Sequence, residues 1–164
     1  MNAGAYGCAF HDRLVSVDAV DLKSGRSRSF ARCELGTGYR RSALQGTNWI
    51  VTRATLRLRH SCPGQIREAM RQTAITRRRR FPYGLPNAGS VFKRPDGRPV
   101  GAMIEDIGLK GRRCGGAQIS PLHGGFIVNG GGATGEQIAM LASEMQRAVS
   151  SAFGVSIELE QVVI

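Results

Sequence analysis

The order in which the hydrophobic period changes along these 164 residues restricts the fold more than any single motif does. Leu14–Leu22 alternates apolar and polar residues, with Val15 and Val17 set against Asp18 and Asp21, the pattern of a half-buried strand. Lys23-Ser24-Gly25 is a turn signal, from which Arg26–Phe30 pairs back as a hairpin. Thr52–His60 alternates again, with Ala54, Leu56 and Leu58 on one face and Thr55, Arg57 and Arg59 on the other. That predicts a strand with one wet face. The period then lengthens. Pro63-Gly64 opens a helix in which Ile66, Ala69, Met70 and Ala74 keep one stripe, while Arg67, Glu68 and Arg71 face water. Phe81-Pro82-Tyr83-Gly84-Leu85-Pro86 cannot continue it and forms an irregular loop.

Beyond the loop, Val100–Ile107 reads as a short helix stopped by Gly108, and Phe126-Ile127-Val128-Asn129 as a buried strand running into three glycines. Thr134 followed by Gln137 fits a capping box. Behind it Ile138, Leu141, Ala142, Met145, Ala148, Val149 and Ala152 line one helical face, closed by Gly154. Val155, Ile157 and Leu159 restart a period of two. Strands and helices mix without strict βαβ alternation, so the class is α+β. The boundary falls near residue 61, which gives a domain over residues 1–60, a second over 61–157 and a closing strand over 158–164.

Hydrophobic residues make up 41% and charged residues 21%, which excludes a disordered chain. No apolar run approaches the roughly 18–20 residues that span a bilayer, and the first residues lack the pattern of a signal peptide. Cys8, Cys33, Cys62 and Cys114 include no Cys-x-x-Cys pair, and neither Cys8 with His11 nor His60 with Cys62 has a matching second pair. Metal binding is therefore not expected, and buried or idle thiols in a reducing cytosol are. The net charge of +11 is uneven: residues 61–100 hold nine Lys/Arg against two acids, while residues 101–164 hold four against six. Such a field favours a polyanion, whether nucleic acid, a membrane surface or a phosphate-bearing small molecule. Aromatic residues are 6% and are not interleaved with Arg77–Arg80, so stacking platforms for a single strand are lacking.

Several segments, in order, resemble the UDP-N-acetylenolpyruvoylglucosamine reductase family of flavoenzymes. They are Met1-Asn2-Ala3-Gly4-Ala5-Tyr6-Gly7, Gly38-Tyr39-Arg40-Arg41-Ser42, Ala88-Gly89-Ser90-Val91-Phe92-Lys93-Arg94-Pro95 and Gly108-Leu109-Lys110-Gly111. Gly115-Gly116-Ala117, His123, Phe126-Ile127-Val128-Asn129 and Glu158-Leu159-Glu160 complete the series. In that family the Asn-Ala-Gly-Ala-Tyr segment is internal to the flavin domain, so the chain resembles the C-terminal half to two-thirds of such an enzyme. The resemblance implies a partial FAD-binding domain, then a substrate domain. It also implies a cytoplasmic activity in peptidoglycan precursor synthesis: reduction of UDP-N-acetylglucosamine enolpyruvate with NADPH. A non-catalytic UDP-sugar-binding remnant is the first alternative and a small basic nucleic-acid binder the second.

Residue by residue, the resemblance makes Ser90 the proton donor to the substrate, with a turn serine as the plainer reading. Arg40 and Glu160 would flank the enolpyruvyl carboxylate, where a guanidinium offers a permanent bidentate charge. Their plainer readings are a surface arginine and an exposed edge-strand acid, with Glu158 competing for the role of Glu160. Tyr39, Arg77, Lys93, Arg94 and His123 would form the substrate shell, His123 being nearly as readily a loop histidine. Arg78, Arg79 and Arg80 read as a solvated run. Asn2, Ala3, Gly4, Ala5 and Tyr6 would line the flavin by backbone contact, weakly without the upstream phosphate loop; Gly124-Gly125 departs from the family pattern.

Overall fold

Two-residue periodicity builds the first part of the molecule. The computed structural model describes residues 1–95 and 98–162, and the chain divides into two compact units, Met1–Cys62 and Pro63–Ile164. Strands β1 (Gly4–Ala5) and β2 (Cys8–Ala9) form a hairpin around Tyr6-Gly7. Both turn residues have positive φ, 52° and 75°, which is what a tight hairpin of this length demands. Strands β3 (Leu14–Asp21), β4 (Ser27–Ala31) and β5 (Trp49–Leu56) form an antiparallel sheet in the order β4-β3-β5. Leu14, Val17, Ala19, Phe30 and Leu35 are its buried core, closed by an edge-to-face contact of Phe30 with Trp49 at 5.1 Å.

Strand β5 departs from the alternation expected of it. It begins three residues earlier and ends four residues before His60. Past Trp49 its residues are exposed on both faces, although Leu56 pairs with the buried Leu14 and Val51 with the buried Ala19. β5 pairs on one side only, so nothing in this sheet covers its outer half.

The second unit begins with α1 (Pro63–Arg80), with proline at the first position, where no intrahelical N–H is needed. Arg77–Arg80 occupy its last turn, complementing the negative end of the helix dipole. The expected apolar stripe is not a packing face: α1 buries no residue, and Ile66, Ala69, Met70 and Ala74 are exposed.

Strand β6 (Asn87–Ser90), helix α2 (Val100–Asp106), strands β7 (Arg113–Cys114), β8 (Ala117–Ile119) and β9 (Phe126–Asn129), and helix α3 (Gly135–Phe153) complete the unit. The sheet is antiparallel in the order β6-β9-β8-β7, and the class is α+β. Helix α3 starts and stops where its sequence signals stand. Thr134 accepts a hydrogen bond from the Gln137 amide, Gln137 answers toward the Thr134 amide, and Gly154 closes the helix at φ 67°. Leu141, Ala142, Met145 and Val149 pack from α3 onto Ile104, Ala117, Ile119 and Ile127. Ala152, expected on that face, is exposed at the second-last position of the helix.

Val155, Ile157 and Leu159 do not form a regular strand. Ile157 is buried, and among the described residues the segment makes one isolated antiparallel bridge, Leu159 to Phe92; Val163 and Ile164, in the expected closing strand, lie outside the described residues. The four cysteines are free. Cys8, Cys33 and Cys62 are exposed and Cys114 half-buried, so none is the buried thiol that its residue type favours. Among the described residues, no helix is long and apolar enough to cross a membrane.

Candidate functional site

Among the described residues, three other than glycine have positive φ: Asn2, Tyr6 and Arg40, at 48°, 52° and 52°. Each costs on the order of 1 kcal/mol or more, a strain that surrounding contacts must over-determine. All three are residues singled out from the sequence, and all lie in the first unit. The contacts are visible. The Asn2 side chain donates to the Gly38 carbonyl at 3.0 Å and accepts from the His11 amide at 3.0 Å. Gly38 and Arg41 exchange main-chain hydrogen bonds, so Tyr39 and Arg40 form the tip of a tight turn. Gln45 braces that turn, donating to the Arg40 carbonyl and accepting from the Ser42 amide. Asn2 therefore ties the Ala3-Gly4-Ala5-Tyr6 segment to the turn that carries Tyr39 and Arg40. The Arg40 guanidinium lies 5.1 Å from the centre of the Tyr39 ring.

Does this surface fit a flavin? Ala3, Gly4, Ala5 and Tyr6 are exposed, and their small side chains leave main chain open to a flat ring. A diphosphate needs more, commonly a glycine-rich turn at a helix N-terminus. The first unit contains no α-helix among its elements. These residues suit contact with a flavin ring and provide no phosphate cradle.

In the second unit the chain brings Ser90 and Glu160 to adjacent segments. Lys93 donates its amide to the Glu158 carbonyl at 2.8 Å, and Glu160 donates to the Val91 carbonyl at 2.9 Å. The Gln161 side chain donates to the Gly89 carbonyl at 3.3 Å. Ser90 ends β6 at a register irregularity against β9, with Gly89 at φ 82° and its amide held by Asn87 Oδ1. Such bulges re-aim a side chain. Ser90 is exposed, and its hydroxyl donates to the Phe92 carbonyl at 3.2 Å. Lys93 Nζ pairs with Glu158 Oε2 at 3.0 Å, which occupies the competitor of Glu160. Arg94 is exposed.

Arg77 differs from the three arginines after it. It is half-buried, its Nε donates to the Tyr83 hydroxyl at 2.7 Å, and its guanidinium lies 5.1 Å from the Phe81 ring centre. Arg78, Arg79 and Arg80 are exposed, as a solvated run should be. His123 is held by its loop: Ser120 Oγ accepts from the Leu122 and His123 amides, and the Gly125 amide donates to His123 Nδ1 at 3.0 Å. Partial burial pushes the imidazole below its ordinary pKa of 6.5, opposed by a hydrogen bond to the main chain of His123 itself and by Glu105, and helped by Lys110 and Arg80. Phe81, Tyr83 and Gln161 were not visible as site residues in the sequence. Only their places, beside the arginine run and after Glu-x-Glu, could have marked them. Among the described residues, no three of His, Cys, Asp and Glu gather as metal ligands would.

Residues 81–164, just over half of the chain, match the family described as UDP-N-acetylenolpyruvoylglucosamine reductase, C-terminal domain. UDP-N-acetylenolpyruvoylglucosamine reductase of Shouchella clausii is 39% identical over 164 residues, covering all of this chain and 52% of that protein. The protein of the same name from Synechococcus is 42% identical over 98% of this chain and 51% of its own length. The crystal structure of UDP-N-acetylenolpyruvylglucosamine reductase from Thermus caldophilus superposes with a TM-score of 0.78 at 36% identity, over 99% of this chain and 57% of that one. The chain thus spans about half the length of the curated relatives it matches.

Proposed function

Because the chain belongs to the UDP-N-acetylenolpyruvoylglucosamine reductase family, we propose that it carries the substrate-side chemistry of that reductase. The reaction is reduction of UDP-N-acetylglucosamine enolpyruvate to UDP-N-acetylmuramate, in the cytoplasm, for peptidoglycan precursors. The observation that carries this reading is the pairing of residues 158–161 along residues 89–93, which sets Glu160 beside the Ser90 bulge.

When bound, FAD supplies the hydride, drawn from NADPH, to one alkene carbon of the enolpyruvyl ether. Ser90 gives its proton to the other carbon and releases the Phe92 carbonyl to do so. A neutral hydroxyl donates usefully only to a strongly basic acceptor held within about 3 Å, and a transient enolate is one. Arg40 pairs with the substrate carboxylate, and Glu160 assists the negative charge that builds there by donating a hydrogen bond as the neutral acid or by acting alongside a cation. Arg77, Lys93 and Arg94 supply cations for the diphosphate, with Tyr39 and His123 completing the substrate shell. Asn2 to Tyr6 provide the flavin-ring contacts. Exposed free thiols at Cys8, Cys33 and Cys62 suit a reducing compartment.

A second reading is a non-catalytic chain that binds UDP-sugar without turnover. Two titrations of the purified chain decide between them. Saturable, stoichiometric FAD binding with absorbance near 450 nm supports turnover by this chain alone. UDP-N-acetylglucosamine binding without retained flavin supports the second reading. Failure to bind either ligand sinks both.

A further inference from the structure

Gly89 is the joint behind Ser90, and side chains hold it from both sides. Its N–H donates to Asn87 Oδ1 at 3.0 Å, and its carbonyl accepts from Gln161 Nε2 at 3.3 Å. The first group belongs to the peptide plane before Gly89, the second to the plane that also carries the Ser90 amide. Glycine is the residue freest to rotate between two such planes. Here it sits at φ 82° in the irregular stretch between the paired residues Asn87 and Ser90. A Cβ on Gly89 would meet nothing within 4 Å, so no packed neighbour on that side steadies the joint. Two side-chain amides steady it instead.

Asn87 is itself anchored, its Nδ2 donating to the Leu85 carbonyl at 2.9 Å and to the Pro82 carbonyl at 3.2 Å. Gln161 arrives from the far end of the unit's sequence. Residues 158–160 run antiparallel to residues 91–93: the Lys93 amide donates to the Glu158 carbonyl, Leu159 bridges Phe92, and the Glu160 amide donates to the Val91 carbonyl. By that register the next step sets Gln161 level with Ser90, and there its side chain crosses to the Gly89 carbonyl. Glu160 and Gln161 are half-buried, whereas Glu158, Leu159 and Val162 are exposed.

We propose that Gln161 is a positioning residue: its side-chain amide fixes the Gly89–Ser90 peptide plane and so couples the direction of the Ser90 hydroxyl to the placement of Glu160, its neighbour in the chain. The inference rests on the assignment of Ser90 and Glu160 to reduction of the enolpyruvyl substrate. Rotation at Gly89 swings everything that follows it, Ser90 first. Proton delivery from a hydroxyl needs contact within about 3 Å, and a misplacement of about 1 Å can cost about a hundredfold in rate.

Gln161→Leu keeps the bulk of the side chain without its N–H, and Gln161→Glu replaces the amide by an acceptor that the Gly89 carbonyl repels. NMR of the full chain labelled with 13C and 15N reads the Gly89 carbonyl and Ser90 amide shifts, and scalar couplings read the Ser90 χ1 rotamer. Wild type should hold one Ser90 rotamer. Both variants should shift the two resonances and average the rotamers. Leu141 and Met145 in α3 should keep their resonances, which a general loosening of the unit would not allow. In the chain joined to the complementary half of a relative, both variants should slow substrate reduction about tenfold to a hundredfold, with the substrate KM and flavin reduction by NADPH nearly unchanged. Wild-type shifts and rotamer in either variant overturn the proposal. So does an unchanged rate of substrate reduction, or equal slowing of both half-reactions. If the joined wild type reduces no substrate while the variants still release Ser90, the reductase assignment fails and the hold of Gln161 on Gly89 stands.

Discussion

Replacing Gly101 by alanine sets two local effects against each other. Gly101 is the second residue of α2, and alanine is favoured over glycine inside a helix by up to about 1 kcal/mol. Its Cβ would sit 2.8 Å from His123 Cε1, closer than real contacts allow, and 3.2 Å from the Gly125 amide nitrogen. The imidazole must swing away. That forfeits the hydrogen bond to Nδ1 and leaves the buried Gly125 N–H unpaired, a cost of about 1–3 kcal/mol. Losing the stack on Phe81 adds about 0.5–1.5 kcal/mol. The expected net effect is a destabilisation of about 1–3 kcal/mol, and each kcal/mol lowers the melting temperature of a unit this size by roughly 4–8 °C. Thermal unfolding followed by circular dichroism measures it. The same substitution in a His123→Ala background removes the colliding ring, so its cost should fall to near zero or reverse in sign, a coupling of about 1–3 kcal/mol. Equal cost in both backgrounds would refute the reasoning and place the collision on the Gly125 backbone.

In a chain joined to the complementary half of a relative, Ser90→Ala should slow substrate reduction by at least about 10²–10⁴-fold while leaving flavin reduction by NADPH nearly intact. Ser90→Cys should recover part of the rate, and stopped-flow absorbance near 450 nm times the two half-reactions; equal slowing of both would make Ser90 a structural residue. Arg94→Ala should weaken UDP-N-acetylglucosamine by about 1–3 kcal/mol, the scale of a charged hydrogen bond to phosphate, and unchanged affinity in calorimetry removes Arg94 from the diphosphate site. His123 titrates below 6.5 in the folded protein, so between that depressed value and 6.5 the unfolded chain binds more protons. Its contribution to stability is therefore fully present above 6.5 and is lost as pH falls through the folded value. Urea unfolding across pH 4–8 should show that slope in wild type and a flatter one in His123→Ala.

Much of the fold was written locally. Thr134 with Gln137 starts α3, Gly154 stops it and Gly108 follows α2, because each signal acts through hydrogen bonds that reach only a few residues. Short segments occurring in a fixed order carried the resemblance that singles out Ser90, Arg40, Glu160 and Asn2. A resemblance of that kind carries positions but not surroundings. The stripe Ile66, Ala69, Met70 and Ala74 shows the limit: helical spacing says that a face could be buried, and only a packed neighbour buries it. The same holds for β5, whose alternation was readable and whose exposure was not.

Tertiary structure decided the rest. Residues 158–161 lie against residues 89–93 across about seventy residues of chain, and the choice of partner depends on the core that Ile157 and Phe92 share. Neither residue type encodes that pairing alone. Positive φ at Asn2, Tyr6 and Arg40 is likewise invisible in side chains that disfavour it, because the compensating contacts come from His11, Gly38 and Gln45. His123 could have been a loop histidine or a ligand contact on sequence grounds. Its surroundings were fixed by Gly101, Gly125, Phe81 and Phe126, residues whose roles exist only once the chain has folded around the ring.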